Sequence, residues 1–269
     1  MYDYHTHNNR CGHATGVMQQ YVESAIAKGV KEIGLSDHGP IYHLGKDPHI
    51  MPDTAMAWDE FPRYFSEMTE LRDAYRNAIK VRVGVESDYV LGWDEHFRLL
   101  WDQYDFDYII GSTHWLDGWN IFDNELPEGH TKESLFEVYL ESIAAAAGSG
   151  IFDIIGHFDA IKTNGYMPAR GFEAKIRAVI EAIADADIAM ELNTSGWRKR
   201  CNEQYPSRWI LAEAHRCGVP IVLGSDAHEP SLVAADFDRA LALLRDIGCE
   251  HIATFEHRER ILIPIAGQM

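Results

Sequence analysis

Short runs rich in Ile, Val and Tyr alternate along the chain with longer stretches in which apolar residues recur every three or four positions. The short runs predict strands at 2–5, 32–36, 81–86, 108–112, 152–156, 188–193, 220–224 and 251–255. The longer stretches predict amphipathic helices at 17–28, 59–76, 132–147, 171–186, 207–217 and 230–247. Glycine directly after Lys28, Cys217 and Ile247 supplies the left-handed residue that commonly ends a helix. Seven or eight strand-helix alternations imply parallel strands joined by helical crossovers, which either a closed barrel or an open doubly wound sheet satisfies. A length of 269 residues, with no GxGxxG after the first strand, favours the barrel. No linker, repeat or low-complexity segment interrupts the pattern, so residues 1–269 are expected to form a single domain.

The polar residues fall where a barrel would gather them. Strand candidates end in His5 and His7, Asp37 and His38, Glu86, His114, His157, Asn193, and then Asp226 and His228. In a parallel barrel all of these sit at the C-terminal mouth, so residues more than 200 positions apart converge on one site. Histidine is abundant, at 14 residues, and neutral imidazole is the commonest metal ligand. His43, His49, His96, His130, His215 and His251 lack a motif context and read as surface or helix-end groups.

Within His5-Thr6-His7, residues two apart on a strand project to the same side, so both imidazoles can hold one cation. Glu86 ends an apolar run and must be solvated, paired or metal-bound; its two oxygens could bridge two cations. Ser36-Asp37-His38, Ser112-Thr113-His114, Gly156-His157-Phe158-Asp159 and Ser225-Asp226-Ala227-His228 repeat the arrangement. With His13 in Cys11-Gly12-His13 they total seven imidazoles, one Glu and one Asp, more than a single cation of four to six ligands can use. Two or three divalent metals are expected, and the mixed N and O donors suit Zn, Fe or Mn. Cys11 reads as packing rather than as a ligand.

These motifs resemble the PHP (polymerase and histidinol phosphatase) superfamily, with ligand type and order in agreement at all nine positions between His5 and His228. The resemblance implies a distorted (β/α)7 TIM-like barrel carrying its metals at the C-terminal mouth, and it leaves the eighth strand candidate as an addition to the barrel. It also implies that His5, His7, Glu86 and Asp226 hold one metal, Glu86, His114 and His157 a second, and His13, His38 and His228 a third. Asp3-Tyr4-His5-Thr6-His7 and Asn193-Thr194-Ser195-Gly196-Trp197-Arg198 are most similar to the histidinol-phosphatase branch. The expected activity is hydrolysis of L-histidinol phosphate in histidine biosynthesis, by attack of a hydroxide shared between metals on phosphorus. Basic residues of that branch hold phosphate near Arg198 and, after the His157 motif, near Lys162, where a lysine point charge replaces a planar arginine fork. Asp37 or Asp159 is expected to act as general acid or to orient ligands. Trp115, Trp197, Asp159 and Glu256 are candidates for holding the imidazole and the amine.

Charge and composition narrow the alternatives. There are 24 basic and 42 acidic side chains, a formal charge of −18, which disfavours a nucleic-acid groove. Another phosphoesterase of the superfamily, such as a nucleotide phosphatase or exonuclease, would share the metals. A metal-dependent amidohydrolase would share the early HxH but would not require His13, His38 and Glu86. No apolar run approaches the roughly 20 residues of a membrane helix. Four dispersed cysteines and the lack of a visible signal peptide predict a reducing, cytoplasmic setting; the resemblance implies a small-molecule phosphate monoester as substrate. Oligomeric state is not legible at this level.

Overall fold

The computed structural model describes residues 1–41 and 53–266; His43 and His49 lie outside them. In chain order the elements are β1 (Tyr2–Asp3), α1 (Met18–Ala27), β2 (Glu32–Leu35), α2 (Phe61–Tyr75), β3 (Lys80–Asp88), α3 (Asp94–Trp101) and β4 (Tyr108–Ser112). They continue with β5 (Trp115–Leu116), β6 (Trp119–Asn120), α4 (Lys132–Gly148), β7 (Ile154–Ile155), α5 (Glu173–Asp185) and β8 (Ala189–Asn193). The chain finishes with α6 (Arg208–Arg216), β9 (Ile221–Gly224), α7 (Phe237–Asp246), β10 (His251–Glu256) and β11 (Glu259–Pro264).

Seven strands pair in parallel in the order β1-β2-β3-β4-β7-β8-β9. The two ends of that sheet meet: Tyr4 N–H donates to Leu223 O at 3.0 Å, and His7 N–H to Ala227 O at 2.9 Å. A parallel bridge between Thr6 and Ala227 completes the closure. The fold is therefore the distorted seven-stranded TIM-like barrel that the sequence motifs imply.

Alternation along the strands divides the barrel interior into layers. Tyr4, Tyr108, Ile110, Ile154, Ala189 and Val222 form one buried apolar cluster inside it. Two residues further toward the C-terminal ends, the same inward rows become polar at Ser112 and Glu191, and Gly224 leaves the space that Glu191 fills. The Tyr108 ring occupies space that side chains on Gly34 and Gly84 would fill, since a Cβ there would lie 2.0 Å from its Oη and 2.4 Å from its Cζ. The apolar layer thus forms a floor beneath the polar mouth, and the helices cover the outside with a larger core.

The eighth strand candidate is β10, which pairs antiparallel with β11 outside the barrel sheet. This hairpin packs on the opposite end from the mouth: Phe255 N–H donates to Tyr4 Oη, His257 N–H to Asp107, and Arg258 to Ile151 O. The 230–247 stretch is divided as well. A single 3-10 turn at Pro230–Leu232 precedes α7, separated by Ala234 and Asp236 at φ of 53° and 63°. Ala234 N–H is there drawn onto buried Asp3 Oδ2 at 2.8 Å. Neither α3 nor the β5-β6 hairpin is anticipated by the apolar pattern.

Candidate metal centre

The strand ends bring all nine expected ligand residues to one place. His5 and His7 follow β1, His38 follows β2, Glu86 lies on β3, His114 follows β4, His157 follows β7, and Asp226 and His228 follow β9. His13 joins them from the loop after a short 3-10 turn at Asn9–Cys11. Glu86 is central. Its Oε2 lies 3.2 Å from His5 Nε2, 3.6 Å from His7 Nε2 and 2.9 Å from His38 Nδ1. Its Oε1 lies 2.8 Å from His157 Nε2 and 3.6 Å from His114 Nε2. Asp226 Oδ1 approaches His7 Nε2 to 3.1 Å and His5 Nε2 to 4.0 Å. The His7 ring stacks on that of His228 with centroids 4.1 Å apart, and His13 lies 4.8 Å from His228 and 5.1 Å from His38.

These atoms are turned toward each other without satisfying one another. His5 Nε2, His7 Nε2 and Glu86 Oε2 are fully buried and find no hydrogen-bond partner among the described residues. Buried polar atoms are rarely left unpaired, and three converging on one point fit a cation better than any protein group. His5, His7 and Glu86 form one compact donor set, His38, Glu86 and His114 a second, and His7, His38 and His228 a third. Imidazole nitrogen and carboxylate oxygen together suit divalent transition metals.

Behind the ligands stands a row of carboxylates. Glu191 Oε1 meets His5 Nδ1 at 2.7 Å, Asp37 Oδ1 meets His7 Nδ1 at 3.1 Å, and Asp88 Oδ1 meets His114 Nδ1 at 2.9 Å. A carboxylate on Nδ1 keeps the proton there and leaves Nε2 with its lone pair toward the mouth. Glu191 also accepts from His157 N–H at 2.8 Å and Asn193 Nδ2 at 3.1 Å. Its carboxylate fits because residue 224 is glycine: a Cβ there would stand 1.8 Å from Glu191 Oε1. Asp226 Oδ2 is held by Asn193 Nδ2 and Ser195 Oγ at 3.2 and 2.9 Å. Asp88 and Glu191 escape motif reading; the available signal is a carboxylate on a strand, at a position that faces the barrel interior or its mouth.

Electrostatics follow from this crowding. Burial would raise the Glu86 and Asp226 carboxyls, but the surrounding histidines outweigh it and hold both well below the usual range. Burial works against charge on His5 too, yet Glu191, Glu86 and Asp226 raise it well above normal. For His7 and His114 burial is likewise overcome by neighbouring carboxylates, and both are raised to about 9. Burial dominates at His13 and His228, which fall to about 4 and about 2. At pH 7 the carboxylates therefore keep protons on His5, His7 and His114, and a cation taking those nitrogens must displace them. Uptake of Zn2+ or Mn2+ at pH 7 is therefore expected to release protons, with apparent affinity falling as pH drops. Calorimetric titration in two buffers of different ionisation enthalpy measures the release, and a buffer-independent heat would contradict it.

The mouth opens as a cavity of about 290 Å3, whose walls beyond the ligand residues include Phe122, Ala160, Thr163, Ser195, Lys199 and Tyr205. Several residues singled out in the sequence are not brought to it. Glu256 sits at the far end of the barrel, 3.1 Å from Arg82, because β10 closes the bottom and not the rim. Trp197 packs outside the mouth beneath Arg239, whose guanidinium carbon is 4.1 Å from its ring centroid. Trp115 is half-buried in the β5-β6 hairpin and is not part of the cavity wall. Arg198 is committed to Asp236 at 2.9 Å, Ser225 O at 2.6 Å and Thr194 O at 3.3 Å, whereas its neighbour Lys199 faces the cavity. Lys162 is buried against Asp159, Glu203 and Gln204 O at 3.0, 2.8 and 2.7 Å. Asp159, which burial raises, is fully enclosed there and also accepts from Ser207 N–H. Asp37 is likewise enclosed, between His7 and the His38 N–H.

Comparison with known proteins agrees with this geometry. The family model described as PHP domain matches residues 3–195. The chain belongs to the PHP domain family. A Deinococcus radiodurans member named "Probable histidinol-phosphatase" is 33% identical over 263 residues, covering 96% of this chain and 97% of the relative. A Bacillus subtilis relative named histidinol-phosphatase is 28% identical, covering 89% of this chain and 97% of its own length. Among solved structures, histidinol phosphate phosphatase from Lactococcus lactis, complexed with Zn, L-histidinol and phosphate, superposes with a TM-score of 0.81 at 24% identity. That match covers 97% of this chain and 98% of the other, and it establishes the shared fold.

Proposed function

We propose that this PHP-family chain is a metal-dependent phosphate monoester hydrolase acting on L-histidinol phosphate, releasing L-histidinol and inorganic phosphate. The observation that carries this reading is the convergence of unpartnered, buried His5, His7 and Glu86 atoms at the barrel mouth. The names of the Deinococcus and Bacillus relatives, matched along almost their whole length, support the substrate.

In this reading His5, His7, Glu86 and Asp226 hold one cation, Glu86, His114 and His157 a second, and His13, His38 and His228 a third. Zn, Fe and Mn all accept such donors, and two or three ions account for the nine residues. The cations would neutralise phosphoryl oxygens and make a hydrolytic water acidic near neutral pH. Asp37, Asp88 and Glu191 fix imidazole tautomers, and Asp37 is assigned this orienting role rather than that of a general acid because it is fully buried behind His7, outside the cavity wall, with Oδ1 on His7 and the His38 N–H. Asp159 and Lys162 brace the wall behind Tyr205, over whose ring Lys162 Nζ lies 5.3 Å from the centroid.

Phosphate is assigned to Lys199, with Arg198 anchoring the turn that carries it. Lys199→Ala is expected to raise KM about tenfold, the scale of one charge-assisted contact, with metal content unchanged. Arg198→Ala should act chiefly on stability. Steady-state kinetics of the two variants separate the roles: equal KM effects would remove the distinction. A cavity of about 290 Å3 and a net charge of −18 favour a small-molecule ester over a nucleic-acid strand. No helix among the described residues is long and apolar enough to cross a membrane. We place the enzyme in the cytoplasm as a single catalytic domain.

A phosphate-release assay tests the reading directly. Metal-replete protein should liberate phosphate from L-histidinol phosphate, chelator-treated protein should not, and restored metal should return activity. Absence of release by the metal-replete chain would refute it.

A further inference from the structure

Phe122 stands out among the cavity-lining residues. It is a large apolar side chain left 42% exposed, on the wall of the mouth that holds the ligand residues. Exposure of a single aromatic is ordinary, but here the backbone that presents it is held from several directions. Phe122 N–H donates to Asn120 Oδ1 at 2.9 Å, and Phe122 O accepts from Asn164 Nδ2 at 2.6 Å. The following residue is tied twice more, Asp123 O accepting from Asn164 at 3.1 Å and from Tyr166 Oη at 2.8 Å. On the preceding side Ile121 is fully buried and its N–H donates to His114 O at 2.9 Å. Trp119 stacks edge-on against Tyr166 and donates its indole N–H to Glu125 O at 2.9 Å. The hairpin is therefore a rigid mount, joined to the metal centre through His114, with an uncovered ring in the turn that follows its second strand. That ring lies 5.8 Å, centroid to centroid, from the imidazole of His114.

We infer that Phe122 is a specificity-determining residue, which receives the flat heteroaromatic arm of the ester while its phosphate lies at the metal ligands. The inference rests on the phosphatase reading above and adds which wall selects the leaving alcohol. Its physical basis is that an immobilised, solvent-facing ring gains from covering by another flat ring without any ordering cost of its own. The cationic walls cannot make this selection, because Lys199 and the metals act on the phosphate that all monoesters share. Tyr205, the other aromatic of the wall, is buried with its hydroxyl bound to Thr163, so it presents no free face comparable to that of Phe122.

The test compares kcat/KM of wild type, Phe122→Ala and Phe122→Tyr for L-histidinol phosphate and phenyl phosphate, which carry rings, and for O-phosphoethanolamine, which does not. Metal content is measured for each protein. Phe122→Ala should lose about tenfold on both ring-bearing esters and less than twofold on O-phosphoethanolamine, and Phe122→Tyr should restore the ring-bearing substrates. Equal losses on all three esters, or none on any, would overturn the role of Phe122 while leaving the phosphatase reading intact. Failure of the metal-replete wild type on every ester would overturn the phosphatase reading, and the inference with it.

Discussion

Glu86→Gln is expected to lower kcat by at least about a thousandfold, or ~4 kcal/mol of transition-state stabilisation. The carboxylate oxygens face His5, His7 and His38 on one side and His114 and His157 on the other, so one residue serves both halves of the centre. An amide of the same shape loses the negative charge and turns a hydrogen-bond donor toward nitrogens that must present lone pairs. Cation affinity should fall together with turnover. Thermal melting of the metal-loaded variant is expected to change far less, because the apolar floor below Glu86, built from Tyr4, Tyr108 and Ile110, is untouched. Near wild-type turnover with full metal occupancy would reduce Glu86 to a structural residue.

The second large effect is expected at a residue that is not itself a ligand. Glu191→Gln should weaken metal binding 10- to 100-fold, roughly the scale of lost outer-shell carboxylates. Either orientation of the amide fails. If its NH2 faces His5 Nδ1, it donates there and moves the imidazole proton to Nε2, which then cannot ligate. If its oxygen faces His5, the NH2 meets the His157 N–H and Asn193 Nδ2, setting donor against donor. Gly224→Ala offers an independent route to the same defect, since the new methyl would occupy the position of Glu191 Oε1. Metal titration of both variants checks this, and wild-type affinity in both would show that His5 needs no such support.

What the sequence reveals and what it conceals follow from the range of the interactions involved. His5-Thr6-His7 and Asp226-Ala227-His228 are legible because two-residue spacing at a strand end forces both side chains toward one point. The barrel is legible because most strands are followed by a helix of the right period. Glu191 is not, since an inward carboxylate gains its meaning only when β8 is placed beside β7 and its side chain reaches His5, 186 residues away in sequence. Arg198 and Lys199 differ by one position, and the intervening turn, which no periodicity describes, decides which of them meets the cavity. Glu256 is misplaced for a related reason: the strand after the last helix is legible as an addition to the barrel, but only its antiparallel partner, Glu259–Pro264, and its packing on Tyr4 put it beneath the barrel and away from the rim. Phe122 depends on a hairpin of two-residue strands, too short for any alternation to register.

The most direct test of the account is the ratio of kcat/KM values for L-histidinol phosphate and for a nucleoside monophosphate, measured on the same metal-replete protein. The ratio expresses discrimination by the mouth independently of how many metals are bound. A preference of about tenfold or more for L-histidinol phosphate, equivalent to ~1.4 kcal/mol, is the predicted result; an equal or greater preference for the nucleotide would contradict it.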